Sequence, residues 1–311
     1  FIGRLLEPMI ERAIELRRQI EAFPVLDIRD QQEKARLLEK ADNATAVLKT
    51  AADHLIAEVM GVSSGSILSD VVDLFKAIQA GKDWEDVVRD NPLPPADELD
   101  FSPFHWHLEY PEVFQLGGFN AFVGNPPFLG GQRISTNFGD QYLQYLRKQY
   151  QSSIGTADIV AFFFLSAYRR MSSNGCLGFI STNTIAQGDT RDTALAYLIN
   201  SGAQIYRANS SLRWPGQAAV FVSVVFVTST SFSGLIYLDN VIAPYISSFL
   251  DTNPDIGEPQ TLQLNSRQAF VGSYILGKGF VMEPDEAKEL ITRSPRNKDI
   301  LYPYLSGKDF N

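Results

Sequence analysis

The chain has 311 residues, a mass of 34.6 kDa and 45% hydrophobic residues, enough apolar side chain for one large α/β domain or two small ones, which excludes disordered, collagen-like and low-complexity classes. Its formal charge of −9 weighs against a nucleic-acid partner until the charge is located: residues 1–100 hold 20 acidic and 12 basic side chains, residues 101–311 hold 16 and 15, so the acidity belongs to the front segment. The single cysteine, Cys176, excludes an intramolecular disulfide and a zinc–thiolate cluster.

No apolar run approaches the roughly 20 residues of a membrane span, and a soluble, cytoplasmic chain in a reducing environment is expected. The opening Phe1-Ile2-Gly3-Arg4 carries no initiator methionine and no leader, so the chain reads as a piece of a longer polypeptide.

Residues 2–22 space Leu5, Ile10, Ala13, Ile14 and Ile20 at helical intervals, and Pro24 interrupts them. A long helix is predicted from about 30 to 60, with Ala35, Leu38, Ala41, Leu48 and Leu55 among charged residues and Gly61 as its stop. Shorter helices follow at about 66–80 and 83–90. Asn91-Pro92-Leu93-Pro94-Pro95 is a stiff break, because each proline fixes its own φ and restricts its predecessor. Residues 1–95 are therefore expected to form a helical insertion or subdomain with solvated charged faces and no chemistry of its own.

Beyond the prolines, strands and helices alternate. Phe119 to Gly124, Cys176 to Ser181, Gln204 to Ala208 and Val220 to Thr228 read as strands, and Ala157 to Met171 and Thr190 to Asn200 as helices. That order predicts parallel pairing in an open α/β sheet over residues 96–230, with ligands beyond the carboxyl ends of the strands. From 231 to 311 a further small domain is expected, with strands near 235–238 and 269–276 and a helix at 283–291.

The chemistry is concentrated at Gly124-Asn125-Pro126-Pro127-Phe128, at the carboxyl end of the first strand. Two fixed φ angles hold this loop stiff, and the missing proline N–H leaves backbone carbonyls free to accept bonds. The Asn125 side chain offers a second acceptor and Phe128 a flat apolar face, a combination suited to a planar group bearing an NH2. A bare tetrapeptide of this kind is also compatible with a rigid surface turn.

The context resembles motif IV of the AdoMet-dependent amino-methyltransferases, in which Asn-Pro-Pro-aromatic serves N6-adenine DNA enzymes and N5-glutamine protein enzymes. Phe104-His105-Trp106-His107-Leu108-Glu109-Tyr110-Pro111-Glu112-Val113-Phe114 resembles the segment before motif IV in large adenine methyltransferases of restriction and phage-defence systems. Asp158 to Ser166 resembles motif V, Gly175 to Ile180 the strand of motif VI, and Trp214-Pro215-Gly216 before Val220 to Val227 motif VIII. Gly277-Lys278-Gly279-Phe280 and Tyr302 to Asp309 resemble the opening of a target-recognition domain.

The resemblance implies a partial Rossmann-like AdoMet methyltransferase sheet, with S-adenosyl-L-methionine as cofactor and double-stranded DNA as partner. A flipped adenine would donate its exocyclic NH2 to the Asn125 side chain and the Pro126 carbonyl, in a loop completed by Pro127. Phe128 would stack on one face of the base and Trp214 on the other. Asp158 and Phe163 would belong to the cofactor site, with Phe162 and Phe164 making that register uncertain by one and core packing an alternative for the phenylalanine. For Trp214 the alternative is hairpin packing. Arg133, Arg147 and Lys148, between motifs IV and V, would contact DNA phosphates.

No Gly-x-Gly follows a strand before residue 117, so the loop that cradles the methionine end of AdoMet is expected upstream of Phe1, and the isolated chain is expected to be inactive. The full-length protein would carry a nuclease or other restriction module. His105-x-His107 has metal-ligand spacing but reads as aromatic packing, and no metal is expected. Gly130-Gly131 lacks the Lys-Ser/Thr of a P-loop. The competing functions are an N5-glutamine protein methyltransferase and a non-catalytic DNA-binding fragment.

Overall fold

The computed structural model describes residues 2–62, 67–90, 92–93, 96, 99, 101–151, 153, 155–214, 220–254, 263, 279 and 281–304. The chain divides into two compact units, Phe1–Asp255 and Ile256–Asn311.

The first unit opens with α1 (Ile2–Ala22) and α2 (Ile28–Val59), a helical pair. Asp27 caps α2 by accepting the amides of Arg29 and Asp30, while the Asp30 side chain accepts the Asp27 amide, a reciprocal arrangement in which the cap is worth about 1 kcal/mol. The buried stripe of α2 is rich in small residues, Ala41, Ala44 and Ala51 among them, which lets α1 approach closely. Helices α3 (Ile67–Gln79) and α4 (Trp84–Asp90) complete the segment. All four helices lie where the periodicity predicts them.

Short helices α5 (Trp106–Glu109) and α6 (Pro111–Gln115) lead into the sheet. They are fastened to the helical pair by polar bridges: Lys49 Nζ to Glu109 at 2.9 Å, His105 Nε2 to Asp53 at 2.7 Å, and Arg17 to Glu112 at 3.7 Å. His105 thus serves as a tether, and His107 stacks on Phe114 with ring centroids 3.8 Å apart.

Strand β1 (Phe119–Gly124) is followed by a 3-10 turn at Gly131–Arg133, α7 (Ile134–Gln149) and α8 (Ile159–Tyr168). Next come β2 (Met171–Thr182), a 3-10 turn at Asn183–Ala186, α9 (Gly188–Arg191), a π-helical turn at Asp192–Ala196 and α10 (Tyr197–Asn200). The sheet then adds β3 (Gln204–Arg213), β4 (Phe221–Thr228), β5 (Ile236–Leu238) and β6 (Val241–Ala243).

The six strands are ordered β1-β2-β4-β3-β5-β6. β1 pairs parallel with β2 and β3 with β5, whereas β4 lies antiparallel between β2 and β3. Four of the six strands therefore run in one direction, in a mixed α/β sheet with a helical N-terminus. The uniform parallel pairing predicted from the sequence is corrected at β4: residues 214–220 join it to β3, with the Trp214 amide bonded to the Val220 carbonyl at 2.9 Å, and a link that short cannot make the crossover that parallel neighbours require.

The core lies between the sheet and α8, seven of whose ten residues are buried, including Phe164, Leu165 and Val160. Each such side chain contributes about 1.5–3 kcal/mol on burial. In the second unit α11 (Pro284–Arg293) forms where a helix is predicted. The strand expected over residues 269–276 lies outside the described residues, as do Pro215 and Gly216.

Candidate active site at the carboxyl end of the first strand

β1 delivers the chain to the top of the sheet, and the Asn125-Pro126-Pro127 loop turns there beside α8. Pro126 is buried and Asn125 is exposed. Among the described residues, neither the Asn125 side chain nor the Pro126 carbonyl makes a hydrogen bond. Two acceptors therefore stand idle at the mouth of a cleft of about 340 Å³.

The cleft runs from Gly124, Asn125, Pro126 and Pro127 along α8 past Phe163 and Ser166 to Arg170, with Trp106, Phe122 and Phe179 on its other walls. Within the Phe162-Phe163-Phe164 run, Phe162 and Phe164 are buried, and Phe163, 40% exposed, lines the cleft. The slot is walled by rings, which suits a planar heteroaromatic group.

Asp158 is buried at the N-terminus of α8, where its Oδ1 accepts the Val160 amide at 3.0 Å and the Leu129 amide at 3.1 Å. Phe128 is exposed and Trp214 half-buried at the end of β3; neither lines the cleft. Arg133 closes the 3-10 turn, and Arg147 and Lys148 occupy the last turn of α7. All three are exposed, and none has an ion-pair partner among the described residues, although Arg147 Nη2 donates to the Gly155 carbonyl at 3.0 Å. The resemblance thus selects three loop residues and Phe163 that meet at one cleft, a buried helix cap behind them, and three exposed cations on the neighbouring helical segment.

Trp106 and Arg170 also line the cleft, which the sequence reading missed. Trp106 meets Phe122 edge-on at 5.7 Å and lies under the Arg170 guanidinium, 5.8 Å from its centroid. Arg170 Nη1 donates to the Ser166 carbonyl and hydroxyl, and its Nε is buried without a partner. The signal for Trp106 was the aromatic density of residues 104–114, which reads equally as packing. Both residues also line a second cleft of about 410 Å³ with Tyr142, Tyr145 and His107. Burial raises the two tyrosine pKa values; burial first, then the Arg170 charge, lowers that of His107 from about 6.5.

Phe163 and Pro127 give the cleft apolar faces that would suit a ring of about adenine's size, the group the resemblance implies. Its lining holds no carboxylate, so residues suited to ribose hydroxyls or an ammonium are not supplied there. Among the described residues no group of three or more His, Cys, Asp or Glu is placed to hold a metal ion.

Comparison with known proteins bears on the family and the fold. Residues 66–205 match the family model described as Eco57I restriction-modification methylase. Over 122 residues the chain is 28% identical to DNA methyltransferase A of Bacillus subtilis (strain 168), covering 39% of this chain and 14% of that protein. The fold is similar to that of MmeI, a Type IIL restriction-modification enzyme solved in complex with DNA, with a TM-score of 0.50 and 17% identity over 73% of this chain and 33% of that one. The chain thus spans about one-seventh of the curated relative and one-third of the structural one.

Proposed function

We propose that this chain is the second half of the catalytic domain of a DNA methyltransferase that transfers a methyl group from S-adenosyl-L-methionine to the N6 amine of a flipped-out adenine, within a restriction-modification or phage-defence protein. The observation that carries the reading is the pair of idle acceptors, Asn125 Oδ1 and the Pro126 carbonyl, at the mouth of an aromatic slot. Exocyclic NH2 has two protons to donate and a planar ring to stack, and the loop meets both requirements. The match of residues 66–205 to a restriction-modification methylase favours a base over a protein glutamine as the acceptor.

When bound, the cofactor supplies an electrophilic methyl. Asn125 and Pro126 would accept the two N6 protons in hydrogen bonds that favour a pyramidal, more nucleophilic nitrogen. These bonds strengthen as positive charge develops on nitrogen, so they act mainly in the transition state. Phe163 and Pro127 would hold the cofactor's adenine ring and exclude water from it. Phe128 and Trp214 remain the candidates for stacking on the target base, and Arg133, Arg147 and Lys148 for backbone phosphates, which position a duplex without reading it. The methionine end of the cofactor would be held by residues outside this chain.

The test is methylation by the full-length polypeptide: purified protein, labelled AdoMet and duplex DNA, followed by digestion to nucleosides. N6-methyl-2′-deoxyadenosine is the expected product. Label appearing in cytosine or in protein, or no transfer at all, would overturn the reading.

A further inference from the structure

The polar contacts behind the cleft give Asp158 more to do than a helix cap requires. Capping α8 needs one bond, and the Val160 amide supplies it at 3.0 Å. The same carboxylate oxygen takes the amide of Leu129, four residues beyond Asn125, at 3.1 Å. The Leu129 carbonyl in turn accepts the Ile159 amide at 3.0 Å. Leu129 is thus held through both its donor and its acceptor by two consecutive residues at the start of the helix that carries Phe163.

The contact is close for two further residues. A Cβ on Gly131 would lie 2.2 Å from the Thr156 carbonyl oxygen, so only glycine lets the loop lie against residues 156–157. That ledge is itself braced: the Asp158 amide donates to Thr190 Oγ1 at 3.0 Å, and the Thr156 amide and hydroxyl donate to Asp189 Oδ2 at 2.7 and 3.1 Å. Between Asn125 and Leu129 stand two prolines with fixed φ, and a stiff segment passes the position of its pinned end to its other end.

We propose that Asp158 is a positioning residue: by clamping Leu129 it fixes the Asn125-Pro126 acceptors relative to Phe163, and so aims the target amine at a methyl held beside that ring. This rests on the function proposed above. It goes beyond the resemblance's placing of Asp158 in the cofactor site, because Oδ1 is taken up by two backbone amides of the protein.

The experiment uses the full-length polypeptide with Asp158→Ala and Asp158→Asn, measuring kcat, AdoMet affinity and hydrogen exchange at the Leu129 amide. Asp158→Ala is expected to lower kcat about 10- to 100-fold, since a shift of about 1 Å at the reacting centre costs that much, with AdoMet Kd held within about threefold and faster exchange at Leu129. Asp158→Asn, which keeps an oxygen at Oδ1, is expected to recover most of kcat and of the protection. A large loss of AdoMet affinity at unchanged kcat, or unaltered exchange at Leu129 in Asp158→Ala, would overturn the clamp. If Asp158→Ala does not fold, Thr190→Val, which releases only the brace on the Asp158 amide, is expected to show the same changes to a smaller degree, and full activity with native exchange in that variant would overturn the proposal. If the wild-type polypeptide transfers no methyl group, the function fails, and the exchange measurement alone decides whether Asp158 holds the loop.

Discussion

Phe163 and Phe164 are consecutive on α8 and about 100° apart around it: Phe164 is fully buried and meets Phe179 edge-on at 5.2 Å, while Phe163 opens onto the cleft bordered by Asn125. One residue of register separates a core contact from a binding surface.

Their alanine variants should therefore diverge. Phe164→Ala removes a buried ring and leaves a cavity, at an expected cost of about 3–5 kcal/mol in stability. Phe163→Ala should stay within about 1 kcal/mol of wild type yet weaken binding of an adenine-bearing cofactor by about 1–3 kcal/mol, the worth of stacking a base on an aromatic ring. Chemical denaturation and calorimetry of the full-length protein measure the two quantities. Equal destabilisation by both variants would mean that Phe163 is a core residue after all.

Asn125→Ala should abolish methyl transfer while DNA binding stays within a few fold. Removing one oriented bond of this kind costs about 10²–10³ in rate. Single-turnover kinetics read the loss directly. A variant with wild-type turnover would remove the asparagine from the chemistry.

Why the sequence revealed some of this and not the rest follows from the range of each interaction. The helices of residues 2–90 and strands β1 to β4 were legible because their apolar spacing is a local property, and the loop after β1 was legible because two prolines constrain the backbone wherever they occur. The direction of β4 was open to reading as well: the eleven residues between Ala208 and Val220 fall short of the dozen or more that a crossover needs. Trp106 was not legible, since nothing in residues 104–114 distinguishes an aromatic ring that walls a cleft from one that fills a core. The bond from Leu129 to Asp158 joins residues 29 apart, and no pattern in the chain announces such a contact.

Acid should weaken the fold through His107. The ring stacks on Phe114 while the residue as a whole stays exposed; this partial desolvation, then the Arg170 charge, holds its folded-state pKa below the ordinary value of about 6.5, so the unfolded chain binds the proton more readily and the effect is small. The sign follows: this group's contribution is fully present above about pH 6.5 and is lost as pH falls from there through the folded-state value. His107→Phe, which keeps an aromatic ring against Phe114, should flatten the decline in Tm between pH 7.5 and 5.5. A variant whose melting temperature falls as steeply as wild type over that interval would show that His107 is not the group responsible.

The cleft beside Asn125 also sets an expectation for cofactor binding by residues 1–311 alone. AdoMet carries a carboxylate, an ammonium, a sulfonium and two ribose hydroxyls besides its adenine, and the lining offers these groups one guanidinium, that of Arg170, and no acceptor carboxylate. An apolar slot gains from the ring, but taking the charged remainder out of water without partners offsets most of that gain. Binding at about millimolar or weaker, roughly −4 kcal/mol, is expected. Calorimetric titration of AdoMet into this chain, with the full-length polypeptide as reference, distinguishes the cases. Affinity that appears only in the longer protein places the polar contacts outside these residues, as proposed. Micromolar binding by the 311 residues alone would require a complete set of polar anchors within them, and the assignment of this chain to half of a cofactor site would have to be withdrawn.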